Sequence, residues 1–121
     1  MSKRVLICDD STLMRKMVAD TLTEDGWEVA GEAVNGQEAI DKFRQLRPDA
    51  VTMDIVMPGS DGLEGLAGIR AIDSEAKVVV VSAINQSKLI SDAIRSGAHD
   101  FIGKPFMPEQ LQNTMLTCLA K

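Results

Sequence analysis

The order of apolar segments predicts an α/β fold, a (βα)5 doubly wound sandwich built on a five-stranded parallel sheet. Short apolar runs alternate with amphipathic stretches from end to end, the central runs are nearly continuous in Val, and helix stop and start signals fall between them. Strands covered on both faces lack the polar alternation of half-exposed ones, and strand-helix alternation builds parallel sheets. The first strand is Val5 to Cys8, halted by Asp9-Asp10. Met14, Val18 and Leu22 then fall four apart, one apolar stripe of a helix that Gly26 stops. Trp27 to Ala33 is the second strand, and Asn35 with Glu38 reads as an N-cap with its capping-box glutamate for the second helix. Ala50 to Met53 is the third strand, and Leu63, Leu66, Ile69 and Ile72 step by three along the next helix. Val78 to Val81 is the fourth strand, followed by Leu89 and Ala93 with Ile90 and Ile94 beside them, and by a stop at Gly97. Phe101 and Ile102 form the fifth strand, and Pro108 opens a last helix striped by Leu111, Met115 and Leu119.

A chain of 121 residues, 45% hydrophobic and 26% charged, predicts one compact domain over residues 1–121 with a radius of gyration of about 14 Å. The net charge of -5 repels phosphate backbones and anionic membranes, which excludes nucleic acid as an expected partner. Cys8 and Cys118 lie in apolar stretches without metal-ligand spacing, as in a reduced cytoplasmic protein. Ser2-Lys3-Arg4 precede only a short apolar run, less than the roughly 7 to 15 residues of a signal-peptide core, and no run is long enough to span a membrane. A cytoplasmic protein without membrane insertion is the expectation.

Doubly wound sheets place their sites beyond the carboxyl ends of the strands. There the first strand meets Asp9 and Asp10, the third Asp54, the fourth Ser82 and Ala83, and the fifth Lys104-Pro105. Crowded carboxylates raise one another's pKa or recruit a cation. With oxygen ligands only, and no His or Cys in the set, the cation that fits is a hard one, Mg²⁺ or Mn²⁺. Asp9, Asp10 and Ser11 singly would be ordinary helix caps, Ser82 a loop hydroxyl and Lys104 a surface charge. Their joint placement at four strand ends points to a site for a metal and a phosphoryl group.

Asp9-Asp10, Asp54 with Met57-Pro58, Asp61-Gly62, Ser82-Ala83, Phe101 and Lys104-Pro105 together resemble the signature of two-component response-regulator receiver domains, in order and spacing, over roughly residues 4 to 120. With no output domain in the chain, it resembles the single-domain, CheY-like subclass. The resemblance implies the flavodoxin/CheY-like fold with strand order 2-1-3-4-5, and Mg²⁺-dependent transfer of a phosphoryl group from a sensor histidine kinase. It implies Asp54 as phosphoacceptor, Asp10 as direct metal ligand, Asp9 as ligand through water, and Val56 as ligand through its carbonyl. Ser82 and Phe101 take the switch positions, Lys104 pairs with phosphoryl oxygens, and the Lys104-Pro105 peptide is cis. The output face would comprise the fourth helix, fifth strand and fifth helix, around Lys88, Asp92, Arg95 and Phe101, with a flagellar motor switch as the favoured target and chemotaxis as the pathway. A phosphorelay intermediate, or a stand-alone receiver regulating another protein, is the alternative. Val56 and Ile84, each two residues past a key group, flank the path of the attacking water in such domains, and being apolar they predict slow self-hydrolysis.

Competing readings are weaker. A flavodoxin loop after the first strand would not carry two negative charges. Gly97 to Gly103-Lys104 has five intervening residues and ends in Pro105, and Gly31 to Gly36 is followed by Gln37, so neither is a P-loop. Gly62, Gly65 and Gly68 are expected to be close-packing positions on a helix. An aspartyl-phosphate phosphatase, the enzymatic alternative, usually carries a cap or further motifs. The protein is therefore expected to be a signalling phosphoacceptor that assists its own phosphorylation and dephosphorylation, not an enzyme. His99, alone, makes neither a triad nor a metal site. The methionines fit core filling, with Met14 and Met57 flanking the site.

Overall fold

The computed structural model describes residues 3–57, 62–83 and 87–120. Its strands are β1 (Arg4–Cys8), β2 (Glu28–Ala33), β3 (Ala50–Met53), β4 (Val78–Ala83) and β5 (Asp100–Lys104). Its helices are α1 (Thr12–Glu24), α2 (Gly36–Leu46), α3 (Gly62–Ile72), α4 (Ser87–Arg95) and α5 (Pro108–Leu119). The strands form one parallel sheet in the order β2-β1-β3-β4-β5. Side chains alternate across it. Leu6, Cys8, Val51, Met53, Val78 and Val80 meet Ala39, Phe43, Leu66, Ile69 and Ala93 of α2, α3 and α4 on one face. Val5, Ile7, Val79, Val81 and Ile102 meet Val18, Leu22, Leu111, Met115 and Cys118 of α1 and α5 on the other. Among the described residues no helix is long and apolar enough to cross a membrane.

Local chemistry sets most boundaries where the sequence places them. The Ser11 hydroxyl accepts from the Met14 amide at 3.1 Å to open α1, and the Asn35 side chain accepts from the Glu38 amide at 2.8 Å to open α2. Glu38 reaches one residue further back than a standard capping box, accepting from the Val34 amide at 3.2 Å. Gly26 and Gly97 stop their helices at φ +85° and +108°, a region that favours glycine. Four strands differ from expectation at a boundary, β1 by starting one residue earlier, at Arg4. Trp27 belongs to the turn, its amide bonded to the Leu22 carbonyl at 3.0 Å, so β2 begins at Glu28. β4 and β5 are longer than their apolar runs because Ser82 pairs with Gly103 and Ala83 with Lys104 in the ladder. The polar residues that ended the apolar pattern are thus themselves in the sheet. Between Val5 and Leu6 the β1–β2 register shifts, leaving Ala30 as an extra residue. Such a bulge twists the edge strand β2 away from pairing with other chains.

Both cysteines are buried and free, and burial pushes the Cys8 thiol far up, so it stays protonated at neutral pH. The α3 glycines lie against close neighbours. A Cβ on Gly62 would come 2.1 Å from the Asp54 carbonyl oxygen, one on Gly65 3.1 Å from the Gly36 Cα, and one on Gly68 2.3 Å from the end of Ile40. A backbone carbonyl cannot yield as the tip of an isoleucine can. Gly62→Ala is expected to lower the unfolding free energy by about 1 to 3 kcal/mol in urea titrations. In Gly68→Ala the helix-propensity gain of about 1 kcal/mol offsets the shift of Ile40, and stability should stay close to wild type.

Candidate functional site

The parallel ladder carries the site. Cys8 and Met53 are register partners at the ends of β1 and β3, and the Asp54 amide donates to the Cys8 carbonyl at 2.9 Å. Asp9 and Asp54, one residue further on, therefore emerge side by side. Asp9 is 4% and Asp54 7% exposed, whereas Asp10 faces solvent. Ligand oxygens of Asp9, Asp10 and Asp54 all lie within 4.8 Å of one another. From β5, at the sheet's far edge, Lys104 reaches across β4 to place its ammonium 2.8 Å from Asp9 Oδ2 and 3.2 Å from Asp54 Oδ2. The peptide after it, Lys104-Pro105, is cis.

Each buried carboxylate has further partners. Asp9 Oδ1 accepts from the Ser11 amide at 2.9 Å, and Asp54 Oδ1 from the Val56 amide at 3.2 Å. Burial raises the Asp54 pKa above its ordinary value; Lys104 opposes that rise, Asp9 adds to it, and the Val56 amide opposes it. For Lys104, burial alone would lower the pKa, but hydrogen bonds and attraction to Asp9 and Asp54 outweigh it and raise the value.

The structure brings Asp9, Asp10, Asp54 and Lys104 together. Ser82, 1% exposed, lies in β4, which neighbours β3. Phe101 in β5 is half-buried against the cluster shared with α2, α3 and α4. Val56 follows Asp54 on the surface at 51% exposure, and Met57 beside it is buried. Met14 is half-buried in the first turn of α1. On α4, Asp92 pairs with Lys88 at 3.3 Å and with Arg95 at 3.2 Å. His99, just before β5, lies 3.4 Å from the Lys77 ammonium through Nε2, remote from the acid cluster in the sheet. Pro58, Asp61 and Ile84 fall outside the described residues. One contact was not legible from the pattern. Arg15 of α1 donates to the backbone carbonyl of Asp9 at 2.8 Å, and a lone arginine on a helix carries no sequence signal of that kind.

The donor set suits a hard divalent cation: every ligand is a carboxylate oxygen, and one contacting ammonium leaves the three carboxylates incompletely neutralised. An acidic cluster at the carboxyl edge of a 2-1-3-4-5 sheet, crossed by a lysine from the edge strand, defines the class. The chain belongs to the response regulator receiver domain family, whose model matches residues 5–116. It is similar to the chemotaxis protein CheY of Thermotoga maritima, 50% identical over 111 residues that cover 92% of each chain. CheY of Bacillus subtilis is 45% identical over 111 residues, again 92% of each. Among solved structures, a chain of the CheX-CheY-BeF3-Mg²⁺ complex from Borrelia burgdorferi matches with a TM-score of 0.92 and 32% identity, over 98% of this chain and 90% of that one.

The raised Asp54 pKa fixes a sign. A carboxyl whose folded pKa lies above its unfolded one stabilises the fold below the unfolded value, and that contribution is lost as pH rises through the folded value. In its ionised form Asp54 therefore opposes folding. Asp54→Asn is expected to melt a few degrees higher than wild type at pH 7 in chelator, with the gap closing as pH falls to the ordinary carboxyl value of about 3.9. Calorimetric melting across that range checks it, and equal melting temperatures at pH 7 would contradict it.

Proposed function

We propose that this chain is a chemotaxis response regulator that takes a phosphoryl group from a sensor histidine kinase onto Asp54 and signals by a conformational change. The observation that supports it best is the Lys104 ammonium set between Asp9 and Asp54 with Asp10 beside them. Family membership and the CheY relatives supply the signalling context. On this reading Asp10 and Asp54 hold Mg²⁺ directly, with Mn²⁺ as a substitute, Asp9 holds it through water, and Val56 contributes its carbonyl. The ion's chemistry is charge: it offsets the acid cluster so that another anion can approach. An Asp54 oxygen attacks phosphorus, the phosphorus–nitrogen bond to the kinase imidazole breaks, and the bonding pair stays with the imidazole. Lys104 turns to the phosphoryl oxygens.

Ser82 and Phe101 are proposed to carry the switch, the hydroxyl donating to a phosphoryl oxygen and the ring moving into the space vacated. Shifting a population from about 1:99 to 99:1 takes roughly 5.5 kcal/mol. Two charge-assisted hydrogen bonds, from Ser82 and Lys104, contribute about 3 to 6 kcal/mol. The output is read on α4, β5 and α5, around Lys88, Asp92, Arg95 and Phe101, by a downstream protein such as a flagellar motor switch.

Incubation with acetyl phosphate and Mg²⁺, followed by intact-protein mass spectrometry, tests the acceptor. Wild type should gain one phosphoryl group, and both Asp54→Asn and chelation should abolish the gain; labelling that survives both removes Asp54 and the metal from the reading. The lifetime of the acyl phosphate tests the water path. Val56→Asn combined with Ile84→Glu is expected to hydrolyse faster than wild type at fixed Mg²⁺, because polar side chains can orient the attacking water that apolar ones only exclude. An unchanged rate would show that these positions do not set the lifetime.

A further inference from the structure

Arg15 stands outside the acid cluster yet touches its frame. Its Nη1 donates to the Asp9 carbonyl at 2.8 Å, its Nε to Glu32 Oε1 on β2 at 2.8 Å, and its Nη2 to Thr12 Oγ1 at 3.4 Å. The side chain is 15% exposed. Asp10, the solvent-facing member of the cluster, is thereby held through its backbone on both sides. The peptide before it is fixed by Arg15 at the Asp9 carbonyl, with the Asp9 amide bonded to Ala33 of β2 at 3.0 Å. The peptide after it is fixed by Asp9 Oδ1 at the Ser11 amide. A planar guanidinium offers separate nitrogens in a fixed fork to acceptors on β2 and on the β1–α1 turn, a geometry that a single ammonium nitrogen does not match.

We infer that Arg15 is a positioning residue for the divalent cation, fixing through the Asp9 carbonyl the peptide from which Asp10 presents its carboxylate. The inference rests on reading the acid cluster as a cation site. It makes a prediction opposite in sign to simple electrostatics. Removing a positive charge beside a cation site should tighten binding of the ion through the field alone, whereas loss of an orienting contact should weaken it.

Calorimetric titration of the unphosphorylated chain with Mg²⁺ separates the two. Arg15→Ala is expected to bind Mg²⁺ roughly 10- to 100-fold more weakly, the usual cost of losing a partner that orients a ligand. Arg15→Lys keeps the charge but not the fork and should be weakened as well. Lys16→Ala, which removes an exposed charge from the next position on α1, should stay within about twofold of wild type because surface charges are screened. Unchanged or tighter binding in Arg15→Ala overturns the inference, as does wild-type affinity in Arg15→Lys. Should Arg15→Ala not fold in chelator, Arg15→Lys decides alone by the same criterion. Wild type that itself takes up no Mg²⁺ would overturn the cation-site reading and this inference together, an outcome distinct from failure of the Arg15 variants.

Discussion

Two buried carboxylates at the ends of adjacent strands repel each other, and the carboxyl edge of this sheet is arranged around that repulsion. With oxygens of Asp9 and Asp54 within 4.8 Å, the cost is about 3 to 4 kcal/mol at an effective dielectric of about 20. The Lys104 ammonium, shared between them, offsets it and ties the ends of β1, β3 and β5 into one unit. Asp10 then adds a third charge that the same ammonium cannot also neutralise. A site so charged keeps a standing preference for another cation, which is what the proposed phosphoryl transfer would use.

The carboxylates reach this arrangement through backbone register more than through side-chain packing. Pairing of Cys8 with Met53 sets Asp9 against Asp54, and the tight start of α3 leaves the Asp54 carbonyl no room for a side chain at Gly62. The turn after β1 is held by the Ser11 cap, the Asp9 side chain and Arg15. The buried, hydrogen-bonded members of the cluster are Asp9 and Asp54, and the exposed one is Asp10. On the proposed cation-site reading, an exposed carboxylate on a fixed backbone is well placed to exchange ions with solvent while keeping its direction.

Periodicity made the sheet and helices legible because the three central strands are apolar on both faces and each helix carries one stripe. The acids and Lys104 were legible for a related reason: a charge that abruptly ends an apolar run stands where a doubly wound sheet opens to ligand. The same abruptness hid the true ends of β4 and β5, since Ser82 and Lys104 break the apolar pattern while keeping the ladder. Three features left no trace in residue type. The Ala30 bulge is a matter of register, the Glu38 contact with the Val34 amide is displaced by one residue from the usual motif, and the Arg15 contact is made to a backbone carbonyl. Side chains that bond main-chain atoms of another element depend on how the elements pack, which no local pattern encodes.

The proposed switch has an energetic consequence that follows from Lys104. Its ammonium already makes charge-assisted contacts to Asp9 and Asp54, so turning toward a phosphoryl group on Asp54 exchanges one anionic partner for another. An exchanged bond contributes only the difference between its two partners, which is less than the roughly 1.5 to 3 kcal/mol of a newly made charged hydrogen bond. Ser82 differs, being an uncharged, buried hydroxyl that gains an ionic acceptor. The roughly 3 to 6 kcal/mol for both bonds is therefore an upper bound, and Ser82 carries the larger share of it. To reach the roughly 5.5 kcal/mol of near-complete switching, the remainder must come from interactions that differ between the two states, the packing of Phe101 among them.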